Sequence, residues 1–176
     1  MDVGKPEEYS SVTDPGRFAV LHEAADGLLD ELTEQFTVER RESKEPWGAE
    51  FVRTVRLIPR TLAAAPLAVS YTDFPSVVLR LGRWYTERLP NCGCDACGEE
   101  PDHLIMDLRA QASALVEGGL WERVRRGVSG SWSEVRLIGP DVDVGRETLL
   151  DAREARAARR EGFAAAVQWA PWPRRS

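Results

Sequence analysis

Cys92, Cys94 and Cys97 are the three cysteines of the chain, and all fall within the segment Pro90-Asn91-Cys92-Gly93-Cys94-Asp95-Ala96-Cys97. A thiolate is both a soft metal ligand and a nucleophile. A disulfide framework spreads its cysteines along the chain and favours an even number. The C-x-C-x-x-C spacing instead places three sulfurs on one short loop, and Gly93 allows the tight backbone that the first pair needs. A structural zinc site takes four ligands, commonly thiolates completed by imidazole. The next imidazole along the chain is His103, so the metal ligands expected are Cys92, Cys94, Cys97 and His103, with Zn2+ as the ion this donor set suits. Two other chemistries stay open. The three thiols can remain reduced without a metal. Alternatively, Cys94 or Cys97 can serve as the reactive thiolate of an enzyme or redox sensor, with Cys94 and Cys97 forming a small disulfide on oxidation. Cys97 lies just before a helix start, whose dipole favours a thiolate. Asp95, Glu99, Glu100 and Asp102 crowd the same loop, where they would raise thiol pKa values and attract a cation.

Other constellations are weaker. His22-Glu23-Ala24-Ala25-Asp26 resembles the zinc-protease pattern H-E-x-x-H with aspartate in the last place, but His22 borders an apolar stripe and reads better as a hydrogen-bonded, partly buried histidine. It is also the second choice for a fourth ligand at the cysteine loop. Gly127-Val128-Ser129-Gly130-Ser131 lacks the second glycine of a nucleophile elbow and reads as a hairpin turn. Asp141-Val142-Asp143-Val144-Gly145 starts like a calcium loop but has its glycine too early and no closing carboxylate; it reads as a loop leading to a helix. No glycine-rich phosphate loop is present. Arg80, Arg83, Trp84, Tyr85 and Arg88 form a basic and aromatic run, either a patch for an anionic partner or edge-strand charge around a core tryptophan.

The elements that must position these residues follow from apolar periodicity. Asp14-Pro15 marks a helix start, and Phe18, Leu21, Ala25, Leu28, Leu29, Leu32 and Phe36 recur at three- and four-residue steps. Val38 to Arg41 reads as a short strand and Glu42 to Pro46 as a polar loop. Phe51 to Ile58, Leu67 to Tyr71 and Val77 to Tyr85 read as strands leading into the cysteine loop. Pro101 opens a second helix with the stripe Leu104, Ile105, Leu108, Ala112, Leu115 and Val116, ended by Gly118-Gly119. Leu120 to Arg126 and Trp132 to Ile138 form a hairpin, and residues 146–161 an arginine- and alanine-rich helix. Strands cluster between helices instead of alternating with them. The expected class is therefore α+β, an antiparallel sheet of about five strands with two or three helices packed on it. Residues 1–13 are expected to be flexible, 14–161 to form a single domain, and 162–176, with Trp169 and Trp172, a tail packed back on it.

The chain has 176 residues, 43% of them hydrophobic and 30% charged, which suits one globular domain with a real core. A net charge of −6 argues against nucleic-acid binding, which needs a basic face. No apolar run is long enough to span a membrane, and the first residues lack a signal-peptide core. The expected location is therefore the cytoplasm, where thiols stay reduced. The residues leave room for a protein partner.

Val12-Thr13-x-Pro15-x-Arg17-Phe18, Gly82-Arg83-Trp84, the core Pro90-x-Cys92-Gly93-Cys94-Asp95-Ala96-Cys97, and Trp169-x-Pro171-Trp172-Pro173 together resemble an uncharacterised family from high-GC bacteria, a domain of unknown function. The resemblance covers most of the chain and implies a small cytoplasmic bacterial protein whose cysteine loop is a family feature. It brings no catalytic roles. The expected function is a non-enzymatic interaction or accessory domain with a metal knuckle at the cysteine loop.

Overall fold

A computed structural model describes residues 11–176 of the chain. The flexible segment expected at 1–13 falls mostly outside these described residues. Residues 11–13 are tied to the cysteine loop, as set out below.

A 3-10 turn, Pro15–Ala19, leads into the first helix, α1 (Val20–Gln35). The apolar stripe is what buries it: Leu21, Ala25, Leu28, Leu29 and Leu32 are all enclosed. Five strands follow and form one antiparallel sheet in chain order: β1 (Val38–Trp47), β2 (Glu50–Pro59), β3 (Leu67–Thr72), β4 (Ser76–Leu81) and β5 (Tyr85–Leu89). The second helix, α2 (Pro101–Val116), connects this sheet to another. The other sheet contains β6 (Leu120–Gly127), β7 (Gly130–Gly139), β8 (Val142–Leu150) and the two-residue β9 (Val167–Gln168), in the order β8-β7-β6-β9. The third helix, α3 (Ala152–Arg160), lies between β8 and β9 in the chain. The class is thus α+β with antiparallel pairing. Among the described residues it has three α-helices, and nine strands shared between two sheets. No helix among the described residues is long and apolar enough to cross a membrane.

The core lies between the helices and one face of the first sheet. Val55, Leu57, Leu67, Val69, Tyr71, Val77, Leu79 and Leu81 occupy alternate positions and join one apolar cluster with the buried residues of α1 and α2. The opposite face is polar: Thr54 bonds to Ser70 at 2.8 Å, and Arg56 and Arg80 clamp the Glu45 carboxylate at 2.8 and 3.0 Å. Helix α2 packs against α1 on one side and against β7 and β8 on the other.

Three segments differ from expectation. Val77 to Tyr85 is not one strand: the chain turns at residues 82–84, where Gly82 has a positive φ, and splits it between β4 and β5, which pair with each other. Glu42 to Pro46 is not a loop but part of β1, paired residue for residue with β2. As an edge strand with charge on both faces, it carries no hydrophobic alternation to reveal it. Residues 146–150 are strand, not helix; α3 begins after Asp151, whose side chain accepts the Glu154 N–H at 2.8 Å and caps it. Val142 and Val144 alternate inward and are packed against the core, so the segment resembling a calcium loop forms part of this hairpin.

Glu122 joins the two sheets. It points inward from β6 between Leu120 and Val124 and is fully buried. Its carboxylate accepts the backbone N–H of Arg83 at 3.1 Å, that of Trp84 at 2.8 Å and the indole N–H of Trp169 at 2.9 Å. Gly82, at φ +61°, brings the β4–β5 turn onto it; a Cβ there would lie 2.7 Å from Glu122 Oε2. Burial pushes the Glu122 carboxyl above its usual range, against the pull of these donors.

Candidate metal centre

The cysteine loop leaves β5 through a cis Leu89–Pro90 peptide and enters α2 at Pro101. Glu99 holds its backbone. That carboxylate accepts the N–H groups of Asn91, Cys92 and Gly93 at 2.9, 3.1 and 3.0 Å. Burial raises the Glu99 carboxyl, but the three donors outweigh it and hold the group below its ordinary value. Asp95 ties the loop to the chain before α1. Its side chain accepts from Ser11 Oγ at 3.2 Å and from the Thr13 N–H and hydroxyl, while its own N–H donates to the Ser11 carbonyl at 3.0 Å. Two of the acids expected to crowd the thiols are therefore turned toward backbone and hydroxyl donors.

Gly93 sits at φ +73°, and a Cβ there would meet Phe74 Cζ at 2.7 Å. Phe74 in turn packs on the buried Phe18, with ring centroids 6.1 Å apart. The loop is thus keyed into the core through a position that only glycine fills without strain. Gly93→Ala is expected to cost about 1–3 kcal/mol and to weaken any ion held by the loop. Thermal melts and zinc titration of the variant check both.

The three sulfurs converge. Cys94 Sγ lies 2.9 Å from Cys92 Sγ and 3.1 Å from Cys97 Sγ, and all three lie within 4.8 Å of one another. None is in a disulfide; Cys94 is buried, whereas Cys92 and Cys97 reach solvent. The Cys94 thiol is held low by its hydrogen bonds with Cys92 and Cys97, and Cys97 is pushed up to about 12 by its bonds with Cys94 and Cys92. Deprotonation therefore favours the central sulfur, not the Cys97 position beside α2. A tetrahedral zinc with bonds of about 2.3 Å sets its sulfurs about 3.8 Å apart, so sub-ångström to ångström movements of the side chains would seat it.

The imidazoles are placed differently. His103 is exposed in the first turn of α2 and is outside the group of three converging ligand atoms. His22 Nε2 lies 3.0 Å from the Ser76 carbonyl oxygen, and its ring meets Tyr71 edge-on at 5.2 Å. Asp26, four residues on, takes the Tyr71 hydroxyl at 2.8 Å and Arg53 at 3.0 Å. His22 and Asp26 thus serve helix-to-sheet packing. Of the basic and aromatic run, Arg80, Arg83, Trp84 and Tyr85 are used internally, and Arg88 is exposed. Arg83 lies in the β4–β5 turn, where its guanidinium pairs with Glu154 and Glu161 and lies over Trp84 and Phe163.

Glu99 and Asp95 are the organising residues whose part the sequence did not reveal. Both are acidic positions within reach of a glycine-containing turn, and an acid there is a ready acceptor for clustered N–H groups. No curated protein and no solved structure matches the chain. A family model matches residues 2–176, nearly the whole sequence, including the cysteine loop, and its description is a family of unknown function. By that match, the chain belongs to the family DUF6226.

Proposed function

We propose that this protein is a cytoplasmic, non-enzymatic accessory or interaction domain carrying a zinc knuckle at the cysteine loop. The convergence of three sulfurs within 4.8 Å, on a backbone fixed by Glu99, carries this reading. Cys92, Cys94 and Cys97 supply three thiolates. His103 is proposed as the fourth ligand, swinging in from the first turn of α2. Such a site joins the end of β5 to the start of α2 and offers a closed, structural coordination shell. The bound ion neutralises the thiolates and closes the sulfur side of a loop whose backbone Glu99 already holds, giving a surface feature for a protein partner.

Metal analysis of untagged protein is expected to find one zinc per chain. Cys94→Ser should abolish it, and His103→Ala should weaken it. At free zinc a hundredfold above Kd, wild type should gain about 2.7 kcal/mol of stability over the chelator-treated protein, and Cys94→Ser should gain none. Absence of zinc at every stage of purification would overturn the proposal.

One observation favours a second reading. Three free thiols, with Cys94 Sγ 2.9 and 3.1 Å from its neighbours, are also the arrangement of an attacking and a resolving cysteine. Thiol labelling separates the two. Rapid labelling of one cysteine at mildly acidic pH supports thiol chemistry, whereas slow labelling of all three that chelator accelerates supports the knuckle.

A further inference from the structure

The outer edge of the first sheet is β1, whose far side meets no other strand among the described residues. Glu39, Arg41, Glu42, Ser43 and Lys44 are exposed along it. In an antiparallel ladder, alternate residues give their N–H and C=O groups to the neighbouring strand, and those between point them away. Gly48, at φ +60°, and Ala49 make a two-residue turn closed by Trp47 and Glu50, so the odd-numbered residues of β1 bond to β2. The prolines of the ladder agree. Pro46 and Pro59 have no N–H, and both fall in the other set of pairs, Pro46 with Phe51 and Pro59 with Val38. Arg40, Glu42 and Lys44 therefore direct their backbone groups outward, as a template for a further strand.

Charge decides which strand fits. A two-fold axis lays β1 antiparallel to β1 of a second copy. The outward groups of both then meet only when even-numbered residues face even-numbered ones, which puts the axis through a residue. Glu39 to Glu45 carry charge at every position but Ser43, and a charged residue on the axis faces its own like charge. With Ser43 on the axis no like charges are opposed. Glu42 then faces Lys44, Arg41 faces Glu45, each pair forms twice, and the two serine hydroxyls meet at the centre. Within the chain Lys44 lies opposite Arg53, a like charge, so Glu42 of the second copy supplies the counter-charge that this rung of the ladder lacks.

We infer that the protein forms a symmetric dimer joined edge to edge through β1 and centred on Ser43, with one sheet continuous across both chains. Pro46 marks the end of the seam, because it offers a carbonyl to the Arg40 N–H and no N–H in return. The inference is independent of the metal proposal, since β1 shares no residue with the cysteine loop.

Sedimentation velocity of the full chain from about 1 to 500 μM is expected to show monomer passing to dimer, with a Kd of about 1–100 μM for a seam of this size. Amide exchange reads the geometry. The Arg40, Glu42 and Lys44 amides should gain protection as concentration rises, whereas the Arg41 and Ser43 amides, bonded to β2, are protected throughout. Lys44→Glu and Glu42→Lys each oppose like charges at both places and should weaken the dimer tenfold or more. Both positions are exposed, and Arg53 keeps Asp26 when Glu42 is changed, so melting of the dilute monomer should be little altered. An equimolar mixture of the two variants restores an opposite-charge pair at each place and should associate within about threefold of the wild-type Kd. A wild type that stays monomeric throughout the range overturns the dimer. Association indifferent to both charge changes, or without new protection at Arg40, Glu42 and Lys44, overturns the β1 edge as its seat. A mixture that fails to associate overturns the register.

Discussion

Trp172→Ala is expected to lower the unfolding free energy by about 3–5 kcal/mol. Trp172 is 3% exposed and meets Phe36 edge-on, with centroids 5.7 Å apart and ring planes at 88°. Its indole N–H donates to the Ala65 carbonyl and its backbone N–H to the Val116 carbonyl, each at 2.9 Å. The indole therefore fills the space between the end of α1, the connector after β2 and the end of α2. Removing it leaves a large cavity and a buried carbonyl without a donor. For a chain of this size, the melting temperature should fall by about 6–20 °C. Trp172→Phe keeps most of the volume and should cost less than half as much. Trp47→Ala, at the 38% exposed tip of the β1–β2 hairpin, serves as the control and should change stability by less than about 1 kcal/mol. A Trp172→Ala melt indistinguishable from that of the control would refute the packing argument.

The second large effect is at Glu122. Glu122→Ala removes the acceptor for three partly buried N–H groups that come from the β4–β5 turn and the C-terminal tail. Each orphaned donor costs about 1–3 kcal/mol. Water entering the vacated space and relief of a buried charge offset part of this, so a net loss of about 3 kcal/mol is expected. Glu122 also sets a pH dependence of unusual sign. Its folded pKa is raised above the ordinary 4.5, so between those two values the folded state binds more protons than the unfolded chain. Stability attributable to this group therefore falls as pH rises through that window and is greatest below it. Glu45, Glu134 and Glu154 act in the opposite direction. Arginine partners overcome burial at Glu45 and lower all three, so their contributions are lost as pH falls below about 4.5. Chemical unfolding as a function of pH should show a component that declines above 4.5 in wild type and is absent in Glu122→Gln. A Gln variant with the wild-type profile would assign that slope elsewhere.

Legibility varied with the kind of signal. The helices α1 and α2 were readable because Leu21, Leu28, Leu29 and Leu32, and Leu104, Leu108 and Leu115, repeat at the helical period and all face one core. The β6–β7 hairpin was readable from Gly127 to Gly130. β1 was not, because pairing with β2 stabilises it and its side chains are mostly charged. β8 was missed because its inward positions include Arg146, whose stem crosses to β5 and conceals the strand alternation. At the cysteine loop, sequence spacing brought the three thiols into view but could not reveal where neighbouring acids point. Asp95 and Glu99 look like cation attractors in one dimension and act as backbone acceptors in three. Glu122 follows the same rule. Its place between Leu120 and Val124 marks an inward register position, but the donors that justify a charge there come from residues 83, 84 and 169.

Because Glu99 and Asp95 fix the cysteine loop through bonds made by the protein itself, its conformational entropy is lost on folding and not on ion capture. An ion arriving at these sulfurs then adds stability by mass action alone, about 1.4 kcal/mol for each tenfold rise in its free concentration above Kd. Folding and loading would then be separable steps. The thermal midpoint of the protein would rise with the logarithm of ion activity, making the folded population a continuous gauge of free metal in its surroundings.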